Sequence, residues 1–247
     1  MRLEQRDTAR PALISETFVS LQGEGGLTGV PSWFCRFSGC NLRCAWCDTP
    51  YASWSPEGRP RRVESLADEA RRAGVAHAVL TGGEPMLFPQ LAPLAETLRA
   101  NQLHTTIETA GTIARADVPF DLLSLSPKLS NSTPEGDPRD PDGSWAARHE
   151  ARRLDPAAIQ ALLDHAARIG ASTQFKFVVT GAGDLHEIDA LLASLSGWRP
   201  NQIFLMPEGI ETPSPDSVRW VVETCLQRGW RYGHRLHIEL FGDARGT

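Results

Sequence analysis

"WFCRFSGCNLRCAWCDT", residues 33–49, passes from an apolar run straight into three cysteines, Cys40, Cys44 and Cys47. "WFCRFS" reads as a strand, and the glycine after it marks where the strand gives way to a loop. Three thiols in eight residues need a reason. In a chain of 247 residues with only five cysteines, a disulfide framework is not that reason. Close-set cysteines in a reducing compartment more often bind metal or do chemistry.

Working outward from this stretch, strands and helices alternate. A Pro/Ser/Gly/Arg-rich connection leads to a helix from about Ser65 to Ala73, where Ser65 and Asp68 suit its N-terminus. "HAVLTGG" (77–83) reads as a buried strand that runs into glycines. "QLAPLAETLRA" (90–100) is helical if Pro93 lies in its first turn. "HTTIET" (104–109) and "DLLSLSP" (121–127) are the third and fourth strands. "DPAAIQALLDHAARIG" (155–170) is a helix with Asp155 as N-cap, Pro156 at its first position and Gly170 as its stop. "TQFKFVVT" (173–180) and "NQIFLMPEG" (201–209) are the fifth and sixth strands, with a helix over 184–195 between them. A last helix covers 215–229, and "YGHRLHIELF" (232–241) is a further strand candidate.

Strands alternating with helices of this length imply βαβ crossovers and a parallel sheet. The strands read as short continuous apolar runs, which implies that both faces are covered. The fold class is α/β. Six units fit a partial (β/α)6 barrel over residues 1–247 as one domain; a doubly wound sheet is the alternative. The polar, Pro/Gly/Asp-rich segment 129–153 resists the pattern. It reads as a long loop, either a solvated one or a mobile flap beside a site.

Composition narrows the class. The net charge is −5, which disfavours a nucleic-acid surface. No apolar run is long enough to span a bilayer, and the first eighteen residues show no apolar leader core. A cytoplasmic location with no membrane partner is the expectation.

The unusual polar residues fall after the strands. Cys40, Cys44 and Cys47 follow the first; Thr81, Gly82, Gly83 and Glu84 end the second; Glu108 and Thr109 end the third; Ser126 and Lys128 follow the fourth; Glu208 follows the sixth. In parallel α/β folds the site lies at the carboxyl ends of the strands, so the cysteines open onto the same face as the rest. Structural zinc is closed by four ligands. A four-iron cluster takes one thiolate per iron, and three cysteines leave one iron open. A zinc module, with Cys35 or a histidine as fourth ligand, is the rival reading.

Cys40-x3-Cys44-x2-Cys47 resembles the signature of radical S-adenosylmethionine (SAM) enzymes, and "TGGEP" (81–85) resembles the family's glycine-rich element after the second strand. "SLQGEG" (20–25), "SPK" (126–128) and "RLHIELFGDARG" (235–246) extend the resemblance nearly end to end to the 7-carboxy-7-deazaguanine synthase family within it. The resemblance implies a radical-SAM barrel. It implies a [4Fe-4S] cluster on Cys40, Cys44 and Cys47 that binds SAM at its open iron and cleaves it to a 5′-deoxyadenosyl radical. The reaction it implies turns 6-carboxy-5,6,7,8-tetrahydropterin into 7-carboxy-7-deazaguanine and ammonia, in 7-deazapurine (queuosine) biosynthesis. By the same resemblance SAM lies against Trp46, Cys47, Asp48 and Gly83, with Glu84 at its ammonium and Ser126, Pro127 and Lys128 completing the site. The family pattern also implies Mg²⁺ on the hydroxyl of Thr49, a flavodoxin or ferredoxin as electron donor, and a homodimer.

The substrate roles join resemblance to chemistry. The pterin's N–H donors suit Gln22 and Glu24 in the stretch Leu21, Gln22, Gly23, Glu24. Its carboxylate suits Arg36, a charge in an apolar strand that needs a partner; an internal carboxylate is the other candidate for that partner. Thr81 reaches the pterin from the next strand, and His237 matches a substrate-side histidine. For Asp48 and Thr49 a plain turn-and-cap role stays open. Cys35 faces away from Arg36 on its strand, and Cys225 lies mid-helix; both are read as inert core thiols. Another small radical SAM enzyme, such as a glycyl-radical activase, is the alternative activity.

Overall fold

The computed structural model describes residues 10–247; residues 1–9, which hold the start of the stretch read as lacking a leader, lie outside them. Nine strands form one sheet in the order β3-β1-β2-β4-β5-β6-β7-β8-β9. Six of them are the strands expected from the sequence: β2 (Pro31–Phe37), β4 (His77–Gly82), β5 (His104–Thr109), β6 (Leu122–Leu125), β7 (Ser172–Val179) and β8 (Ile203–Pro207). Each pairs parallel with the next, and the short β9 (Arg231–Tyr232) adds a last parallel rung on β8. The edge strands β3 (Arg59–Arg61) and β9 are not bonded to each other, so the barrel is partial and open.

Helices α1 (Val63–Arg72), α2 (Leu91–Ala100), α4 (Pro156–Ile169), α5 (Asp184–Ser194) and α6 (Pro215–Arg228) follow strands in turn; the short α3 (Ser144–Glu150) precedes α4. The Asp155 side chain accepts from Ala158 N at 2.9 Å, and Gly170 ends α4 at φ 72°, the left-handed stop that glycine supplies without strain. Pro93 falls within the first turn of α2. The helix expected from Ser65 starts earlier, at Val63 with Arg62 in the cap position and no side-chain cap.

One face of every parallel strand carries the core. Trp33, Cys35, Phe37, Ala78, Leu80, Ile107, Leu123, Phe175, Phe177 and Leu205 are buried against the helices. The alternate positions point the other way, and there Arg36, Thr81, Glu108, Ser124, Gln174 and Lys176 stand among apolar residues such as Phe34, Val79, Val178 and Met206. Both faces of these strands are covered, as the sequence implied, but the inner face mixes polar with apolar side chains. Side chains alternate along a strand, and the barrel interior here is a site wall rather than a second core.

Three further elements differ from the sequence reading. β1 (Ala12–Leu21) precedes the expected first strand and runs antiparallel to both β2 and β3. The strand candidate 232–241 keeps only Tyr232 in the ladder and ends in a short helix, α7 (Leu236–Phe241). The reason is steric and local. Gly233 passes so close to Met206 that a Cβ there would lie 2.2 Å from its side chain. The chain then turns back, and Leu236 N donates to Gly23 O at 2.9 Å. Third, segment 129–153 is not a free flap. It holds a 3-10 turn (Ser130–Ser132) and α3, and its His149 is fully buried.

Candidate active site

The cysteine loop is built by backbone contact with the glycines after β4. Gly83 N donates to Phe37 O at 3.1 Å, Glu84 N to Gly39 O at 2.9 Å, and Gly39 N to Ala52 O at 2.9 Å. A Cβ on Gly83 would lie 2.3 Å from Gly39 O and 2.6 Å from Ala52 O, so only glycine lets β4 pass beneath the loop. Within the loop, Leu42 N donates to Cys40 Sγ at 3.4 Å, and Cys47 Sγ lies 3.1 Å from Ser53 Oγ. Burial pushes the Cys40 thiol up to about 12 and the Cys44 thiol up as well, so the charge of bound metal is what would make them ligands.

Segment 129–153 clamps this loop from outside. His149 Nδ1 accepts from Arg43 N at 3.1 Å, and its Nε2 sits 2.9 Å from Ser132 Oγ. The Arg43 guanidinium lies 4.0 Å over the Trp145 ring, and Arg139 lies 4.1 Å over Trp54, whose indole donates to Cys44 O at 3.0 Å. Trp46 donates to Asn131 O at 3.0 Å.

Cys40, Cys44 and Cys47 open into a cavity of about 440 Å³ at the carboxyl ends of the strands. Of the residues expected at the SAM site, Trp46, Asp48, Gly83, Ser126 and Lys128 line it. Lys128 Nζ donates to Ser126 Oγ at 2.7 Å and stands 5.5 Å over the Trp46 ring. Glu84 and Pro127 do not line it. Glu84 is fully buried: one carboxylate oxygen accepts from Met86 N and Thr109 Oγ1, the other from Ala110 N. It ties the end of β4 to that of β5, and these three bonds leave one acceptor position on its second oxygen open. Thr49 lines the cavity too. It holds the cap position of the 3-10 turn Pro50–Ala52, yet its side chain makes no cap bond.

The expected substrate residues Leu21, Gln22, Gly23, Glu24, Arg36, Thr81 and His237 all line the same cavity. His237 comes from α7, not from a strand, and packs on Gly23, where a Cβ would lie 2.0 Å from Nδ1. Burial lowers its basicity, only partly countered by Glu24. Arg36 already has one partner, the internal carboxylate: its Nε donates to Glu16 Oε1 at 2.7 Å.

Several groups escaped the sequence reading. Lys176, 5% exposed in its side chain, bridges Glu24 at 2.9 Å and Glu108 at 2.5 Å. Arg235 reaches Glu24 at 3.3 Å and Asp48 at 3.1 Å. Burial alone would raise the Glu24 carboxyl; Lys176 and Arg235 more than reverse this and hold it far below its usual range. On β1, Glu16 accepts from Arg36, from Tyr51 at 2.8 Å and from Arg245 at 3.2 Å. The signal available for Lys176 was its place: a cation flanked by phenylalanines in a strand, much as Arg36 stands between Cys35 and Phe37.

The donor set can be weighed against a metal. Among the described residues no three Cys, His, Asp or Glu side chains gather closely enough to clasp a single ion. Zinc needs that convergence, with thiolates at about 2.3 Å from one point. A cubane takes its thiolates at separate corners, which three thiols spread over one loop fit.

The family model described as Radical SAM superfamily matches residues 35–173. The chain is 47% identical to a 7-carboxy-7-deazaguanine synthase of Halobacterium salinarum, covering 96% of this chain and 93% of that one. It is 45% identical to one of Rhodopirellula baltica, covering 99% and 92%. The crystal structure of QueE from Escherichia coli superposes with a TM-score of 0.68 at 28% identity, over 95% of this chain and 99% of that one. The chain belongs to the radical SAM superfamily and, within it, to the 7-carboxy-7-deazaguanine synthase family.

Proposed function

We propose that this protein converts 6-carboxy-5,6,7,8-tetrahydropterin to 7-carboxy-7-deazaguanine with release of ammonia, as a radical SAM lyase of the queuosine pathway. The observation that carries the reading is the union of two unlike walls in one cavity: the three-cysteine loop on one, and Gln22, Glu24, Arg36, Thr81 and His237 on the other. A pocket sunk into the strand ends suits a small heterocycle better than the peptide an activase would need.

When bound, the [4Fe-4S] cluster and SAM supply the radical that begins the rearrangement. The chain's own residues bind and orient. Glu24, kept ionised by Lys176 and Arg235, accepts from the pterin's N–H groups, with Gln22 beside it. The substrate carboxylate goes to the Arg36 side, where two guanidiniums, Arg36 and Arg245, share Glu16. Trp46 and Lys128, held by Asn131 and Ser126, present a ring face and a cation to SAM. Thr49 offers to Mg²⁺ a hydroxyl held only by a long contact to Cys47 Sγ at 3.8 Å, and Mg²⁺ takes oxygen ligands and few of them from protein.

A flavodoxin or ferredoxin as electron donor, a homodimer and a cytoplasmic location complete the proposal. Among the described residues, no helix is long and apolar enough to cross a membrane. The deciding experiment is turnover. Anaerobically reconstituted protein with SAM, Mg²⁺ and a reductant should convert carboxytetrahydropterin to the deazaguanine and ammonia in equal amounts. SAM cleavage with no deazaguanine formed would overturn the reading.

A further inference from the structure

We propose that Lys176 is a positioning residue for the pterin pocket: its ammonium holds Glu24 and Glu108 side by side, both charged, to receive the N–H donors of the substrate. The inference rests on the function proposed above and adds Glu108 to the substrate wall.

The geometry is specific. Lys176 sits inside the barrel on β7; Glu24 follows β1, and Glu108 lies near the end of β5. One Nζ therefore joins three elements, and all three side chains line the cavity. The two carboxylates are not alike. Both oxygens of Glu24 meet cations, Lys176 and Arg235. Glu108 has Lys176 on one oxygen and only the Gln22 amide, at 3.4 Å, on the other. Among the described residues Lys176 is thus the one cation within salt-bridge reach of Glu108. The further ionisable groups facing this cluster among the described residues are His237, against Glu24, and Asp48 and Glu208, on Arg235.

Without the ammonium, two carboxylates, 17% and 14% exposed, would face one another in a largely buried setting. Such a pair takes up one proton and shares it. A protonated carboxyl offers a donor where the ligand also has donors. A reduced pterin presents N–H groups on its amine and its rings, so the pocket needs acceptors. Lys176 supplies the charge that keeps them so, and its burial fixes where they point.

The test compares wild type with Lys176→Met, a neutral side chain of similar length, and with Lys176→Met/Glu108→Gln, which removes the like-charge pair as well. Anaerobic calorimetry on cluster-loaded, SAM-bound protein without reductant measures binding of carboxytetrahydropterin from about pH 6 to about pH 8. Infrared difference spectra follow the carbonyl stretch of a protonated carboxyl. Wild type should bind with little pH dependence and show no such band. Lys176→Met should bind about tenfold or more weakly, and show a carboxyl band that titrates away as pH rises. The double variant should lose the band and recover part of the thermal stability lost by the single one. A Lys176→Met protein that binds as wild type, or that binds weakly without the band, overturns the inference. If Lys176→Met does not fold, failure of the double variant to restore folding overturns it too. Wild type that does not bind the pterin at all sinks the function reading, and this one with it.

Discussion

Arg36 Nε donates to Glu16 Oε1 at 2.7 Å across the β1–β2 ladder, in which Glu16 and Arg36 are directly opposed. The arginine that stands out in β2 is therefore half of a cross-strand pair, and half of a site wall. The two roles can be separated. Arg36→Met should cost about 1–3 kcal/mol of stability, since Glu16 keeps Tyr51 and Arg245. It should also weaken binding of the carboxypterin. Arg36→Met/Glu16→Gln should regain stability and stay weak in binding, read by thermal melts and anaerobic calorimetry. Normal affinity in the double variant would make Arg36 purely structural. Glu16 adds a pH signature. Burial would raise its carboxyl, but the bonds from Arg36 and Tyr51 leave it below 4.5. Its contribution is present above about pH 4.5 and lost as pH falls through the lowered folded value. The acid slope should shrink in Arg36→Met.

The cysteines divide by face. Cys35 is fully buried among the helix-side core and Cys225 lies in α6, whereas Cys40, Cys44 and Cys47 line the cavity. Replacing any one of the last three with Ala should abolish iron retention after anaerobic reconstitution. Cys35→Ser and Cys225→Ser should each keep about four iron and four sulfide per chain. Loss of iron from Cys35→Ser would mean that four thiolates hold the metal, and the open-iron chemistry would go with it.

The clamp on the cysteine loop predicts an acid sensitivity. Burial, reinforced by Arg153, lowers His149 to about 4, and burial with His104 lowers His77 to about 4. Both are neutral in the fold and take up protons in the unfolded chain below about 6.5. Stability should therefore fall as pH drops from about 6.5 to about 4, by up to about 1.4 kcal/mol per pH unit for each histidine. Protonated His149 also loses the lone pair that accepts Arg43 N. His149→Leu should be less stable at neutral pH and show a shallower acid slope, with His77 accounting for the remainder. An unchanged slope in melts of this variant would remove His149 from the account.

The limits of the sequence as a guide lie in the kind of signal each feature leaves. The parallel strands were legible because each carries an apolar stripe bounded by turn residues, and α4 because Asp155, Pro156 and Gly170 mark both of its ends. The polar inner face was harder to see. Arg36, Thr81, Glu108 and Lys176 alternate with apolar residues, but in strands of four to eight residues one or two polar positions read as exceptions. β1 went unread although it forms a hairpin with β2, because the nine-residue loop 22–30 that closes it lacks the two-residue turn signal of a tight hairpin. Residues 236–241 fit neither period cleanly, and a close pass at Gly233 decides the matter. The Lys176–Glu24 contact spans 152 positions, a distance at which no motif carries information.

Thr49 separates cluster assembly from substrate chemistry. Its hydroxyl faces the cavity and makes no cap bond, the nearest polar contact being Cys47 Sγ at 3.8 Å. Thr49→Val keeps the shape and removes the oxygen. A true cap would cost about 1 kcal/mol; with none to lose, the melting temperature should barely move. Iron content and SAM cleavage in the absence of substrate should also survive, because no cluster thiol is replaced and only a long contact to Cys47 Sγ is lost. If the hydroxyl holds Mg²⁺, deazaguanine formation should fall, and titrating Mg²⁺ should stimulate the variant less than wild type at equal folded concentration. A full wild-type Mg²⁺ response from Thr49→Val would place the ion elsewhere, and a clear loss of stability would return the residue to the turn.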